Sequence, residues 1–303
     1  MRAASDHLIA ADGVRLPTRA WLPDEDADAR AALLIVHGFA EHVGRYDELA
    51  TRMVAAGYAV HGYDQRGHGY AQGPRAQVRR FEQLLDDLCL VAASVRAWHP
   101  DVPLVLFGHS MGGVVAARAV QTERVRPDLL VLSSPVFRDG MAVPGWLRTL
   151  LARLAELVPD LPTVRLDTSA LSRDATEVAA YVQDPAVFHG PIKARLASEL
   201  AKHGALALAE AERLRVPFLI VHGKDDRIVQ PGASGELQRA LADRDATLQL
   251  YDEGMHELFH DSLRERVATD VLAWLDERLA PDDRRGRDEV LVSAGGRRGP
   301  PRT

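Results

Sequence analysis

Cysteine is all but absent. The one thiol in 303 residues, Cys89, excludes an intramolecular disulfide and is compatible with a reducing compartment. Its setting, LLDDLCLVAASV, is an apolar helical pattern, which marks a buried structural thiol rather than a nucleophile. Long hydrophobic runs are missing as well. No apolar stretch approaches the roughly 20 residues that a bilayer-spanning helix needs, and MRAASDHLIAADG lacks the continuous apolar core of a signal peptide. Nor is there an excess of basic charge. Against 43 Asp and Glu stand 37 Lys and Arg, nearly all arginine, for a net −6 and a pI near 6.1. That gives no ground for a nucleic-acid partner. There is no internal repeat. These absences leave an ordinary chain, 47% hydrophobic and 26% charged, read as soluble and cytoplasmic with peripheral membrane contact left open.

What is present is an alternation. ALLIVHG (32–38), AVHGYD (59–64), PLVLFGHS (103–110) and LLVLSSP (129–135) read as buried strands. Between them lie the helical patterns RYDELATRMVAAGY, QVRRFEQLLDDLCLVAASVRAWHP and MGGVVAARAVQ. Near-continuous Val/Ile/Leu strands separated by helices predict a parallel sheet covered on both faces. The alternation stops at Pro135 and resumes with VPFLIVHG (216–223), a helix near 232–242, ATLQLYDE (246–253) and a last helix ending near Leu279. The expectation is an α/β core of residues 1–135 and 213–280, with 136–212 a helical cap inserted over one edge of the sheet. VRLPTRAWLP (14–23) reads as part of an antiparallel hairpin at the far edge. Residues 281–303, rich in Arg, Gly and Pro, read as a disordered tail.

GHSMG (108–112) stands between a predicted strand and a predicted helix. G-x-S-x-G alone is weak evidence, and a glycine-rich turn with an idle serine is the bland alternative. The context makes the motif a nucleophile elbow. Such a turn lifts the serine into a strained conformation and needs small residues two before and two after it. A serine needs a base, and the base needs a carboxylate to hold its tautomer. In the order Ser, acid, His, the next strand ends in HGKDDRIV, with Asp225 and Asp226. Adjacent side chains in an extended segment point apart, so only one of these can face a histidine. The last strand leads past Gly254 to His256.

His256 also opens HELFH, which matches the H-E-x-x-H of zinc peptidases. A zinc site needs both histidines inside a helix and a third ligand. Gly254 puts His256 in a strand exit instead, and the residues where a longer zinc motif would need Gly and His are Leu263 and Arg266. His256 is therefore read as general base, His260 as a surface or lid neighbour, and no metal or cofactor is expected. Acyl transfer further needs two N–H donors for the oxyanion. Met111, after the nucleophile, supplies one, and Phe39, in the loop HGFAEHVGRY after the first buried strand, the other. His37 reads as a packing residue beneath the site.

Five motifs in order give the chain, from about residue 8 to 280, a resemblance to the monoacylglycerol lipase family of α/β-hydrolases, often grouped with lysophospholipases. They are HGFAEHVGRY, DQRGHGYAQG, GHSMGG, SRDATEVAAYVQDP, and the pair VHGKDDRIV with MHELFH. The resemblance implies Ser110 as nucleophile, Asp226 as triad acid, His256 as base, and Phe39 and Met111 at the oxyanion hole. It also implies Tyr181 in a small glycerol head-group pocket and Glu41–Arg45 as a structural ion pair. Two positions depart from the pattern: Ala71 stands near the family's serine, and Val182 stands where asparagine often follows the cap tyrosine.

In VPGWLRTLLARLAELVPDLP, Trp146, Leu147, Leu150, Leu151, Leu154, Leu157 and Val158 recur at helical spacing. The stripe packs on the body, or forms an acyl tunnel or lipid contact, and the two are compatible. The expected activity is a serine ester hydrolase cleaving monoacylglycerol to fatty acid and glycerol through an acyl-serine. Competing readings are a lysophospholipase or broad carboxylesterase with the same triad, a zinc peptidase, and a non-catalytic binding protein on this scaffold. Dehalogenase and oxidoreductase readings fail, because the elbow holds serine and no dinucleotide fingerprint occurs.

Overall fold

The computed structural model describes residues 1–24, 28–138 and 152–280. Eight strands form one sheet: β1 (Arg2–Ile9), β2 (Arg15–Leu22), β3 (Ala31–Val36), β4 (Tyr58–Tyr63), β5 (Leu104–His109), β6 (Leu129–Ser133), β7 (Phe218–Gly223) and β8 (Ala246–Tyr251). Their order is β1-β2-β4-β3-β5-β6-β7-β8. The six from β4 to β8 are parallel, and β1–β2 is an antiparallel hairpin on the edge. This is the α/β-hydrolase arrangement expected.

The central strands are apolar on both faces because helices cover both. Leu34, Leu106, Leu132 and Ile220 face one cluster, with α2 (Glu82–Trp98), α3 (Met111–Gln121) and α5 (Ala194–Ala209). Leu33, Val105, Val131 and Leu219 face the other, with α1 (Asp47–Ala55) and α7 (Arg264–Leu279). Each such side chain stabilises the fold by about 1.5–3 kcal/mol relative to exposure, so truncating Leu106 to alanine at the sheet centre is expected to cost about 2–5 kcal/mol.

Two differences from the sequence reading have local causes. β1 is exposed along almost its whole length and carries no apolar signal. It is held by backbone pairing with β2 from Arg2↔Leu22 to Ile9↔Arg15, through a turn in which Ala10 N–H bonds Val14 O. Helix α2 starts at Glu82 rather than near Gln77, because the Gln83 side chain accepts the N–H groups of Arg79 and Arg80 and ends the preceding turn.

Between β6 and β7 the described residues add no strand to the sheet. They hold helical residues 152–157, α4 (Ala175–Gln183) and α5, and α6 (Gly232–Ala240) follows β7. Phe188 N–H bonds Ala40 O after β3, Glu257 N–H bonds Leu171 O after β8, and Ser172 Oγ bonds His260 O. This segment thus rests on the loops at the carboxyl ends of the strands. Trp146, Leu147, Leu150 and Leu151 of the expected stripe, and the tail 281–303, lie outside the described residues.

Candidate active site

Four loops at the carboxyl ends of β3, β5, β7 and β8 meet at one point, the side on which parallel α/β sheets carry their sites. At the end of β5 the chain turns directly into α3 through Ser110, whose backbone sits at φ 52°, ψ −114°. A non-glycine residue there is strained by on the order of 1–3 kcal/mol. The strain persists because both flanks are packed. A Cβ on Gly108 would lie 2.5 Å from Gly112 O, and a Cβ on Gly112 would strike the carbonyl oxygens of Val36 and His37. The small residues on either side of the serine are therefore required by contact with each other and with the β3 exit.

Ser110 Oγ lies 2.9 Å from His256 Nε2, and His256 Nδ1 lies 2.7 Å from Asp226 Oδ2. All three residues are buried. Because Nδ1 faces a carboxylate it carries the proton, which leaves Nε2 free to accept from the serine hydroxyl. Asp226 Oδ1 accepts the N–H groups of Ile228 and Val229 at 2.9 and 2.8 Å. Of the two adjacent aspartates only Asp226 faces the histidine. Asp225 points outward to Arg173. Burial pushes the Asp226 carboxyl up, but His256 and His222, by charge and hydrogen bond, hold it well below the usual carboxylate range. Burial likewise pulls His256 down, and Asp226, Glu257 and Glu41 outweigh it, so its pKa stands above 6.5.

The β3 exit runs past the serine: a Cβ on Gly38 would lie 3.3 Å from Ser110 Cβ. No hydrogen bond takes the backbone N–H of Phe39 or of Met111 among the described residues. His37, completely buried, accepts Gln65 N–H at Nε2 and so donates from Nδ1 to Gly38 O at 2.8 Å. Glu41 Oε1 accepts Gly38 N–H. The loop is thus held through both main-chain polar groups of Gly38. His109 hydrogen-bonds Ser133 Oγ at 3.1 Å with its ring 5.1 Å from that of His256, and burial lowers its pKa to about 4.

HELFH is not a helical metal motif here. His256 precedes a 3₁₀ turn that spans only Leu258–His260, and its two nitrogens are turned to Ser110 and Asp226. His260 hydrogen-bonds Arg45 O at 2.8 Å and packs edge-on against Tyr46, so it is an interior residue rather than a surface one. Glu257, the glutamate of that motif, is almost fully buried and takes a bidentate bond from Arg45, 2.7 Å on each arm. Arg45 also bonds Glu41 at 2.9 Å. The expected Glu41–Arg45 pair is therefore a three-membered hub joining the β3 loop to the His256 loop. Tyr181, on α4, is buried with its ring 4.7 Å beneath the Arg45 guanidinium, which brings the cap tyrosine to the same hub. Val182, the departure from the family pattern, is half exposed.

His222 and Glu257 were not singled out from the sequence. The available signals are a polar residue near the end of the otherwise apolar strand FLIVHG for the first, and a carboxylate directly after the base histidine for the second. Cys89 is half-buried rather than buried, its thiol donating to Arg124 O.

Residues 27–263 match the family described as "Serine aminopeptidase, S33". The chain is 34% identical to a monoacylglycerol lipase of Mycolicibacterium smegmatis, over 91% of this chain and 98% of that one. It is 32% identical to the monoglyceride lipase of Rattus norvegicus, over 90% and 91%. Its fold matches the crystal structure of Paleococcus ferrophilus monoacylglycerol lipase with a TM-score of 0.76 at 26% identity, covering 92% of this chain and all of that one.

Proposed function

The chain belongs to the monoacylglycerol lipase family of α/β-hydrolases, and on that premise we propose that it hydrolyses monoacylglycerols to fatty acid and glycerol. The observation that carries the reading is the continuous chain Ser110–His256–Asp226, at 2.9 and 2.7 Å, set beside two unbonded main-chain N–H groups. Ser110 Oγ attacks the ester carbonyl while His256 Nε2 takes its proton. The oxyanion forms between Phe39 N–H and Met111 N–H, each worth on the order of 3 kcal/mol in the transition state. Collapse breaks the bond to the glycerol oxygen, which takes the proton from His256 and leaves. Water then attacks the acyl-serine, giving its proton to His256, and the second collapse releases fatty acid and restores the Ser110 hydroxyl. No cofactor enters any step.

The matched family description names a peptidase, but the relatives at 30% identity or more that span most of the chain include named glyceride lipases. The hub supports a neutral head group. Arg45 stands by Tyr181, yet both its arms are taken by Glu257 and one also by Glu41. Two buried carboxylates against one guanidinium repel a phosphate, so Tyr181 fits beside glycerol better than beside a phospholipid head. Among the described residues no helix is long and apolar enough to cross a membrane. Peripheral contact is a different matter: Leu157 is 81% exposed, and Leu154, Val158, Leu161 and Val164 are exposed beside it in sequence. An apolar group of this kind suits a lipid surface that delivers the substrate. Its single cysteine is compatible with a reducing compartment, and a cytoplasmic protein is the reading we propose.

The test is hydrolysis of a long-chain monoacylglycerol beside the matching lysophospholipid and a short-chain nitrophenyl ester. The reading expects the highest kcat/KM on the monoacylglycerol. A preference for the lysophospholipid would keep the triad and overturn the head-group assignment.

A further inference from the structure

His222 stands next to the end of β7 and is completely buried, and no step above uses it. Its Nε2 faces two acceptors, Asp226 Oδ2 at 3.2 Å and Val229 O at 2.9 Å. Neither can donate, so Nε2 carries the proton and shares it between them. Nδ1 is then the acceptor, and the hydroxyl of Ser234 on α6 stands 2.8 Å away. Ser234 is also completely buried, so its hydroxyl donates to Nδ1 and anchors the ring in the tautomer that the two acceptors at Nε2 require.

We infer that His222 is a positioning residue for catalysis: through its Nε2–H it fixes the orientation of the Asp226 carboxylate and disperses the charge on the oxygen that receives His256. This rests on the triad proposed above. Asp226 Oδ1 is held by two main-chain N–H groups that belong to its own turn, and Oδ2 by two histidines. Remove His222 and Oδ2 has His256 alone, with nothing from the rigid strand to set the carboxylate plane. The Nε2–H dipole also opposes the field that favours a protonated His256, so its loss makes His256 more basic. The other groups that bear on His256 stay as they are: Glu41 from the β3 loop, His109 from β5 and Glu257 from its own segment, with Arg45 and His260 acting on those glutamates.

The experiment is the pH profile of kcat/KM on a short-chain nitrophenyl ester, with active sites counted by a fluorophosphonate probe. His222→Leu is expected to lose about tenfold at the plateau, the worth of one charge-assisted hydrogen bond, and to move the acid limb up by about half a pH unit. His222→Gln, whose amide can donate from nearly the same place, should return the limb to the wild-type position and recover most of the rate. Ser234→Ala, which removes the donor that anchors Nδ1 without opening the strand, should lose about two- to threefold with a shift in the same direction, and it decides the matter if His222→Leu does not fold. A merely structural role would lower thermal stability and the count of active sites while leaving limb and plateau per site unchanged, and that result would overturn the proposal. No esterase activity in the wild type would instead overturn the triad reading on which it rests.

Discussion

Replacing Arg45 by methionine keeps an unbranched, largely apolar stem and removes the only cation of the buried hub. In the native protein its Nη1 reaches Glu41 Oε2 at 2.9 Å and Glu257 Oε1 at 2.7 Å, and its Nη2 reaches Glu257 Oε2 at 2.7 Å. Both carboxylates are buried. Removing one partner of such a cluster costs about 3–5 kcal/mol, because what remains is uncompensated charge in a poor solvent for it. For a chain of this size that is about 5–8 °C in Tm. The pH dependence carries the sign. Burial pushes Glu41 and Glu257 up, but Arg45 outweighs it and both stand below the usual glutamate value. Their native contribution is therefore present above about pH 4.5 and is lost as pH falls through the lower folded values. Without Arg45, burial prevails and the folded pKa values rise above the unfolded ones. The penalty is then full at neutral pH and disappears as acid protonates the carboxylates. The assay is thermal unfolding of both proteins from pH 8 to pH 5, where the gap in Tm should narrow steadily. Adding Glu257→Gln to Arg45→Met should recover part of the loss, while Glu257→Gln alone should destabilise. A gap under about 1 kcal/mol, or one that does not change with pH, would refute the hub as a buried ion cluster.

Other outcomes follow from the same geometry. Asp226→Asn should keep the fold but cut kcat by on the order of 10⁴, because the amide no longer selects the His256 tautomer, and steady-state ester hydrolysis measures it. Since His256 is raised above 6.5, kcat/KM should fall on the acid side with a midpoint above that value, and a midpoint below pH 6 would contradict the field described. Gly112→Ala drives a methyl into the carbonyl oxygens of Val36 and His37, so it should cost about 1–3 kcal/mol or more and displace the elbow, seen as lower Tm together with lost probe labelling. Leu157→Asp should leave short-ester turnover within about twofold and weaken binding to monoacylglycerol-bearing vesicles by about tenfold, as read in a vesicle sedimentation assay.

The sheet could be read from the sequence because its parallel strands are buried on both faces and are written as unbroken Val/Ile/Leu runs. β1 could not, since it is held by main-chain pairing that leaves no trace in side-chain pattern. Ser110, Asp226 and His256 stand where three such strands end, so strand ends plus a glycine turn were enough to nominate them. The structure brings these three together and leaves Asp225 on the outside. HELFH shows the limit of spacing alone. Its four-residue period promised one helical face, but Gly254 and a short 3₁₀ turn send His256 to the serine, Glu257 to Arg45 and His260 to the Arg45 carbonyl. Glu257 and His222 take their roles from partners that are respectively 212 residues away and four residues on around a turn, and neither contact follows from local periodicity.

The most direct measurement is intact and peptide mass of the enzyme quenched during turnover of a long-chain monoacylglycerol. The account predicts a mass gain of one acyl group on the peptide that contains Ser110, absent in Ser110→Ala together with all ester hydrolysis. An acyl group on another residue, or turnover retained by Ser110→Ala with no acyl-enzyme at all, would contradict it.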